Sequence, residues 1–130
     1  MSSAKDKAIN KARQLIGLLK TNGIDIYEAY VFGSVAMGKE DEYSDIDIAI
    51  VSEAFIGIPF YDVKKVSKFR RAIDLKLEVH PFSLNDILND PPLFFADIKN
   101  KGIRVSWLGI EHMKETLRLR SDKDSLVALI

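Results

Sequence analysis

Phe32-Gly33-Ser34-Val35-Ala36-Met37-Gly38-Lys39-Glu40-Asp41-Glu42-Tyr43-Ser44-Asp45-Ile46-Asp47-Ile48 is the stretch on which the fold turns. Leading into it, Ile26 to Phe32 is rich in β-branched and aromatic residues and stops at Gly33-Ser34, the pattern of a strand ending in a tight turn. Leading out of it, Asp45-Ile46-Asp47-Ile48 alternates and then passes into the wholly apolar Ala49-Ile50-Val51, as expected of a central strand covered on both faces. The polar, acidic run Lys39 to Ser44 is therefore a loop resting on a strand at each end.

Working outward, Ala8, Ala12, Leu15, Ile16 and Leu19 recur at the spacing of one helix face over residues 3–21, and Asn22-Gly23 supplies the stop. Gly57 and Pro59 break the chain after the central strand. Tyr61 to Arg71 then reads as a helix with Val63, Val66 and the Ala72 side inward and a basic outer face. Ile73 to Val79 reads as a third strand, with Ile73, Leu75, Leu77 and Val79 on one face and Asp74, Lys76, Glu78 and His80 on the other. Ser83 with Asp86 opens a capping pattern, Leu93 to Lys101 makes a short helix stopped by Gly102, and Ile103 to Trp107 makes a short edge strand. This order is too irregular for a doubly wound parallel sheet. It predicts an α+β, two-layer domain over residues 1–108, a small mixed sheet with helices packed mainly on one face. Residues 109–130 form a tail, expected to be a partner-docking helix or partly disordered.

The chain has 130 residues, about one domain's worth. A hydrophobic fraction of 47% is enough to build a core and excludes a disordered chain. Its 19 Lys and Arg balance 19 Asp and Glu, so no global field steers it to nucleic acid or to an anionic membrane. The balance hides segregation: Lys39 to Glu53 carries one base and six acids, whereas Lys64 to Lys76 carries six bases and one acid. The absence of cysteine removes disulfides, thiolate nucleophiles and cysteine-ligated zinc, and suits a reducing compartment. The polar start, with no apolar run of 18 residues anywhere, predicts a cytoplasmic protein with no membrane contact.

Residues two apart on a strand share a face with α-carbons about 6–7 Å apart, so Asp45 and Asp47 present paired carboxylates. Such like charges repel unless a cation lies between them, and hard oxygen donors suit Mg²⁺ or Mn²⁺ ahead of zinc. Gly33-Ser34, at the end of the preceding strand, lets backbone amides and a hydroxyl approach an anion. A phosphate loop beside a metal pair describes a nucleoside triphosphate site. A third acid would complete a two-metal centre. Glu78 is favoured, and Asp74 is the fallback on the same strand face. Ser44 is read as a brace for the turn, Lys39 as a solvated loop lysine, and His80 and His112 as structural or surface residues. The basic run Lys64, Lys65, Lys68, Arg70 and Arg71 reads as a wet helix face, and Phe94, Phe95 and Trp107 as core or interface.

Gly33-Ser34, ten residues and then Asp45-x-Asp47 between apolar residues, with an acid on a following strand, resembles the nucleotidyltransferase superfamily that includes DNA polymerase β. Gly33-Ser34-x-x-x-Gly38 with Ser44-Asp45-Ile46-Asp47 is similar to the minimal nucleotidyltransferases, stand-alone members often paired with a helical HEPN-domain protein. Glu78-Val79-His80-Pro81 resembles the third-carboxylate strand of some members. The resemblance is carried by residues 31–51 and 73–82 and does not reach beyond about 108. It implies transfer of a nucleoside monophosphate from an NTP, with ATP expected, to a hydroxyl, with pyrophosphate leaving. Gly33 and Ser34 would hold phosphates, Asp45 and Asp47 would bind metal, and Glu78 would bind one metal and help activate the acceptor. It also implies protein adenylylation as the antitoxin of a HEPN toxin–antitoxin pair. The chain has no room for the second domain of larger members, so a partner protein or a second copy is expected to complete the pocket. The alternative is a catalytically silent antitoxin or regulatory subunit that masks its partner by binding alone.

Overall fold

A computed structural model of the protein describes residues 3–38 and 44–106. Lys39, Trp107, His112 and the tail 109–130 lie outside the described residues.

The elements run α1 (Ala4–Thr21), β1 (Glu28–Phe32), β2 (Ile46–Ser52), α2 (Pro59–Ile73), β3 (Leu77–Ser83), α3 (Leu84–Asn89), α4 (Leu93–Lys101) and β4 (Ile103–Ser106). The strands form one mixed sheet in the order β3-β2-β1-β4. β1 pairs antiparallel with both β2 and β4, and β2 pairs parallel with β3. A parallel pair needs a crossover, and α2 supplies it.

α1 begins where the Ser3 hydroxyl accepts the Asp6 amide at 3.0 Å. It buries Ala8, Ala12, Leu15, Ile16 and Leu19, the five positions that the helical spacing selects. Its end is the expected one: Gly23 takes φ 85°, and the Ile24 amide turns back to the Leu19 carbonyl at 2.9 Å.

Strand alternation divides the core in two. Val31, Ile46, Ile48, Ile50, Leu77 and Val79 face α1 and α2. On the other face Tyr30, Ala49, Val51 and Phe82 pack with Phe95 and Ile98 of α4. The two long helices thus cover one face and the short α3 and α4 part of the other, a small α+β mixed sheet as the sequence predicts. β2 reads as continuously apolar from Ile48 to Val51 because all four residues are buried, two on each face. At the far edge the Tyr30 hydroxyl donates to Glu28 Oε2 at 2.7 Å and accepts from Arg104 Nη2 at 2.9 Å, tying β4 to β1. Burial, followed by the bond to Glu28, pushes the Tyr30 phenol above its ordinary value and keeps it neutral.

The third strand starts four residues later than predicted. Ile73 ends α2, Asp74 is its C-cap, and Leu75 is 71% exposed in the turn that follows. The run Ile73, Leu75, Leu77 alternates, but its first member is the last inward position of a helix. The Arg70 guanidinium fixes the turn by donating to the carbonyls of Leu75 and Leu77 at 3.0 and 3.2 Å. Asp74 therefore lies in the helical layer, near Lys11 of α1 at 4.0 Å, and not on the polar face of β3. Pro81 is tolerated inside β3 because β3 is an edge strand, whose outer side needs no ladder hydrogen bond. Val63 and Ala72, expected inward, are exposed on α2, whereas Val66 is fully buried.

Asp62, in the first turn of α2, is almost wholly buried. Its carboxylate accepts the amides of Ile56 (2.9 Å) and Gly57 (2.8 Å), closing the loop between β2 and α2. Replacing it strands two amide donors, so Asp62→Ala is expected to lower the unfolding free energy by about 2–3 kcal/mol in urea titrations. Asp62→Asn, which keeps one acceptor oxygen, should lose less.

Candidate active site

β1 ends at Phe32 and the chain turns at once. Gly33 takes φ 79°, a left-handed conformation open to glycine, and the Met37 amide closes a single turn onto the Gly33 carbonyl at 3.2 Å. Val35 is buried and anchors this turn in the helical core, which leaves Ser34 exposed at the sheet end. The segment after Ser34 is thus one isolated turn.

The missing Gly33 side chain has a neighbour. A Cβ there would lie 3.3 Å from Asp47 Cγ and closer still to its Oδ2. The turn and the carboxylate are packed against each other, with no space for a methyl group between them.

The register fixes Asp47. It stands opposite Phe32 of β1 on one side and Glu78 of β3 on the other. Asp47 shares its face with Ala49 and Val51, the face away from α1 and α2. The apolar cover of α4 begins at Ala49, so Asp47 is half-buried where the core meets solvent. Glu78 is exposed and His80 half-buried on the same face of β3. His80 Nε2 lies 3.0 Å from Asp47 Oδ1. The Phe32 ring meets the imidazole edge-on, with centroids 4.9 Å apart, and limits its swing. One ligating atom from each of Asp47, Glu78 and His80 falls within a mutual 4.8 Å.

The structure brings together Gly33, Asp47 and Glu78 from the predicted set, and adds His80, which the sequence reading leaves as a surface or structural residue. Asp45 precedes β2 by one residue and is exposed; it stands outside the 4.8 Å cluster. Asp74 is on the other side of the sheet and accepts the Lys76 amide at 2.8 Å. His80 has a signal only in two dimensions. Asp47-x-Ala49 lies parallel to Glu78-x-His80, so His80 meets Asp47 diagonally across the register.

The basic helix face is partly tied down locally. Lys65 Nζ donates to the Ala54 carbonyl at 2.6 Å, Arg70 caps the β3 turn, and Lys68 lies over the Phe69 ring. Phe95 is core, edge-on to Tyr30, whereas Phe94 is exposed beside Phe82.

Two carboxylates and an imidazole at the end of a sheet, next to a turn with an open backbone, form a donor set for a divalent cation beside a cradle for phosphate oxygens. No curated protein matches the chain. Among solved structures, a candidate nucleotidyltransferase from Sulfolobus solfataricus superposes with a TM-score of 0.56 at 18% identity, over 80% of this chain and 87% of that one. A toxin-antitoxin structure with AMP-PNP superposes with a TM-score of 0.52, also at 18% identity, over 92% of this chain and 94% of that one. At such identity these likenesses show the fold. The family is shown by residues 13–106, well over half of the chain, which match the model described as polymerase beta, nucleotidyltransferase: the chain belongs to the polymerase β type of nucleotidyltransferase.

Proposed function

We propose that the protein transfers a nucleoside monophosphate from ATP to a hydroxyl on a protein partner and releases pyrophosphate. The observation that carries this reading is the close packing of the Gly33 turn on the Asp47 carboxylate, which brings a phosphate cradle and a cation-binding acid to one point.

The residues present fit a divalent cation: Asp47 and Glu78 sit side by side on parallel strands, with Asp45 two residues before Asp47. Bound Mg²⁺ or Mn²⁺ would neutralise triphosphate charge and acidify the attacking hydroxyl. Asp47 would hold it from β2 and Glu78 from β3, while Asp45, just before β2 and outside their cluster, would serve a second ion. The amides around Gly33 and the Ser34 hydroxyl donate to phosphate oxygens and orient the triphosphate. The acceptor oxygen forms a bond to the α-phosphorus while the bond to the β-phosphate bridge breaks. Glu78, the most exposed of the clustered acids, receives the acceptor's proton and passes it to solvent. Such in-line displacement asks mainly for positioning and charge neutralisation, which these few side chains supply.

ATP and a toxin–antitoxin setting are supported by the likeness to the toxin-antitoxin structure with AMP-PNP. A helical HEPN-type protein is the partner proposed here. Its docking is supported by apolar side chains left bare at the start of α2, where Ile56, Ile58, Phe60 and Tyr61 are exposed and Pro59, Phe60, Val63 and Lys64 line a shallow groove.

Incubation with α-labelled ATP, Mg²⁺ and the product of the neighbouring gene is expected to label that product, and EDTA to abolish labelling. Asp47→Asn and Glu78→Gln should each lower transfer about 10²-fold or more with the fold intact by circular dichroism. Absence of labelling, with neutralisation of the partner unchanged in the Asp45→Asn, Asp47→Asn double variant, would establish silent binding instead. Gly33→Ala places a methyl group against Asp47 and forces a left-handed φ on alanine. It should weaken ATP binding in calorimetry and cost about 1 kcal/mol or more of stability.

A further inference from the structure

Among the described residues, the histidine at the site is the donor that a row of carboxylates does not explain. His80 Nε2 lies 3.0 Å from Asp47 Oδ1, its ring is held against Phe32, and Glu78 is in the same 4.8 Å cluster. A separation of 3.0 Å is that of a hydrogen bond, with Nε2–H donating to the carboxylate. It is also the edge of a coordination octahedron, because bonds of about 2.1 Å at right angles set neighbouring donors about 3.0 Å apart. His80 and Asp47 therefore already stand at the spacing of neighbouring ligands, with Glu78 within reach of the same cation and the imidazole proton shifted to Nδ1 on binding. Register makes the arrangement rigid: Asp47 is fixed opposite Glu78, and Ala49 opposite His80, on two paired parallel strands.

We propose that His80 is a metal ligand of this centre through Nε2, and that the resulting two-carboxylate, one-imidazole set selects Mn²⁺ over Mg²⁺. The inference rests on the reading of Asp47 and Glu78 as metal-holding residues. Mg²⁺ holds its waters tightly and takes oxygen donors, so a nitrogen ligand gives it little. Mn²⁺ takes the same oxygen donors as Mg²⁺ but, as a first-row transition ion, also accepts imidazole nitrogen, so a nitrogen ligand favours it over Mg²⁺. His80 thus joins the acids expected on sequence grounds as a donor of another kind: it adds selectivity where a further carboxylate would add charge.

The test is electron paramagnetic resonance of Mn²⁺ bound to the full chain, with and without AMP-PNP, together with Mn²⁺ and Mg²⁺ titrations by calorimetry. The expected result is Mn²⁺ binding about 10-fold tighter than Mg²⁺, with the pulsed-resonance signature of a directly bound imidazole nitrogen. His80→Ala should erase that signature, weaken Mn²⁺ and leave Mg²⁺ nearly unchanged. The chain has 2 histidines, so His112→Ala, which should retain the signature, completes the assignment. Mn²⁺ bound without nitrogen coupling, or coupling that survives His80→Ala, overturns the proposal. If Mn²⁺ affinity then still falls in Asp47→Asn, the nucleotidyl-transfer site stands without His80. If Mn²⁺ does not bind, or binds equally well to Asp47→Asn, the reading of the metal site fails with it.

Discussion

The register of β2 between its two neighbours is the constraint on which the molecule depends. Its residues alternate between a core under α1 and α2 and a second core under α4, and Ile48 to Val51 are buried whichever way they point. A slip of one residue would exchange the two sets and drive Asp47 into the helical core, among Leu15, Leu19 and Val66. Burying an unpaired carboxylate there is far more costly than any loss of strand hydrogen bonding. The hydrophobic pattern that folds the sheet is thus the same pattern that aims the acid outward. Structure and site cannot be specified separately in this strand.

Asp47 stands where that burial ends. One residue pair further along β2, Ala49 and Tyr30 lie under α4, and water is excluded. At Asp47 the cover stops, and the neighbours become Phe32, Glu78, His80 and the backbone of Gly33. A carboxylate in this position is partly desolvated, which strengthens its pull on a cation, yet it remains open to a ligand as large as a triphosphate. The charge segregation along the sequence fits this placement: Asp45 and Asp47 of the acidic stretch lie at or beside the site, and the basic stretch from Lys64 is largely committed to α2 and the turn after it.

Most of this was legible wherever a residue's role follows from near neighbours in the chain. The face of α1, its Gly23 stop, the double burial of β2 and the Ser83 cap all depend on spacings of two to four residues, and all appear as read. The start of β3 is not legible in the alternation, because Ile73 and Leu75 extend the pattern of Leu77 and Val79 backwards. Arg70 and the C-cap at Asp74, rather than hydropathy, decide where the helix ends. No spacing singles out Asp62, because an acid in the first turn of a helix usually faces water; here two loop amides enclose it. His80 was legible as a member of the polar face of β3, but not as a neighbour of Asp47. That contact is made by register between strands 33 residues apart, and no one-dimensional spacing encodes it.

The long crossover has a thermodynamic consequence. Asp47 lies before α2 and Glu78 and His80 after it, so the donors come together only when β3 has docked beside β2 through some thirty intervening residues. An unfolded chain offers these groups at random separations and chelates weakly. A cation that uses all three is therefore linked to the native state by mass action, and its binding energy is returned as resistance to unfolding. The ion's concentration would set not only how fast the site can work but also how long the edge strand β3 stays in place.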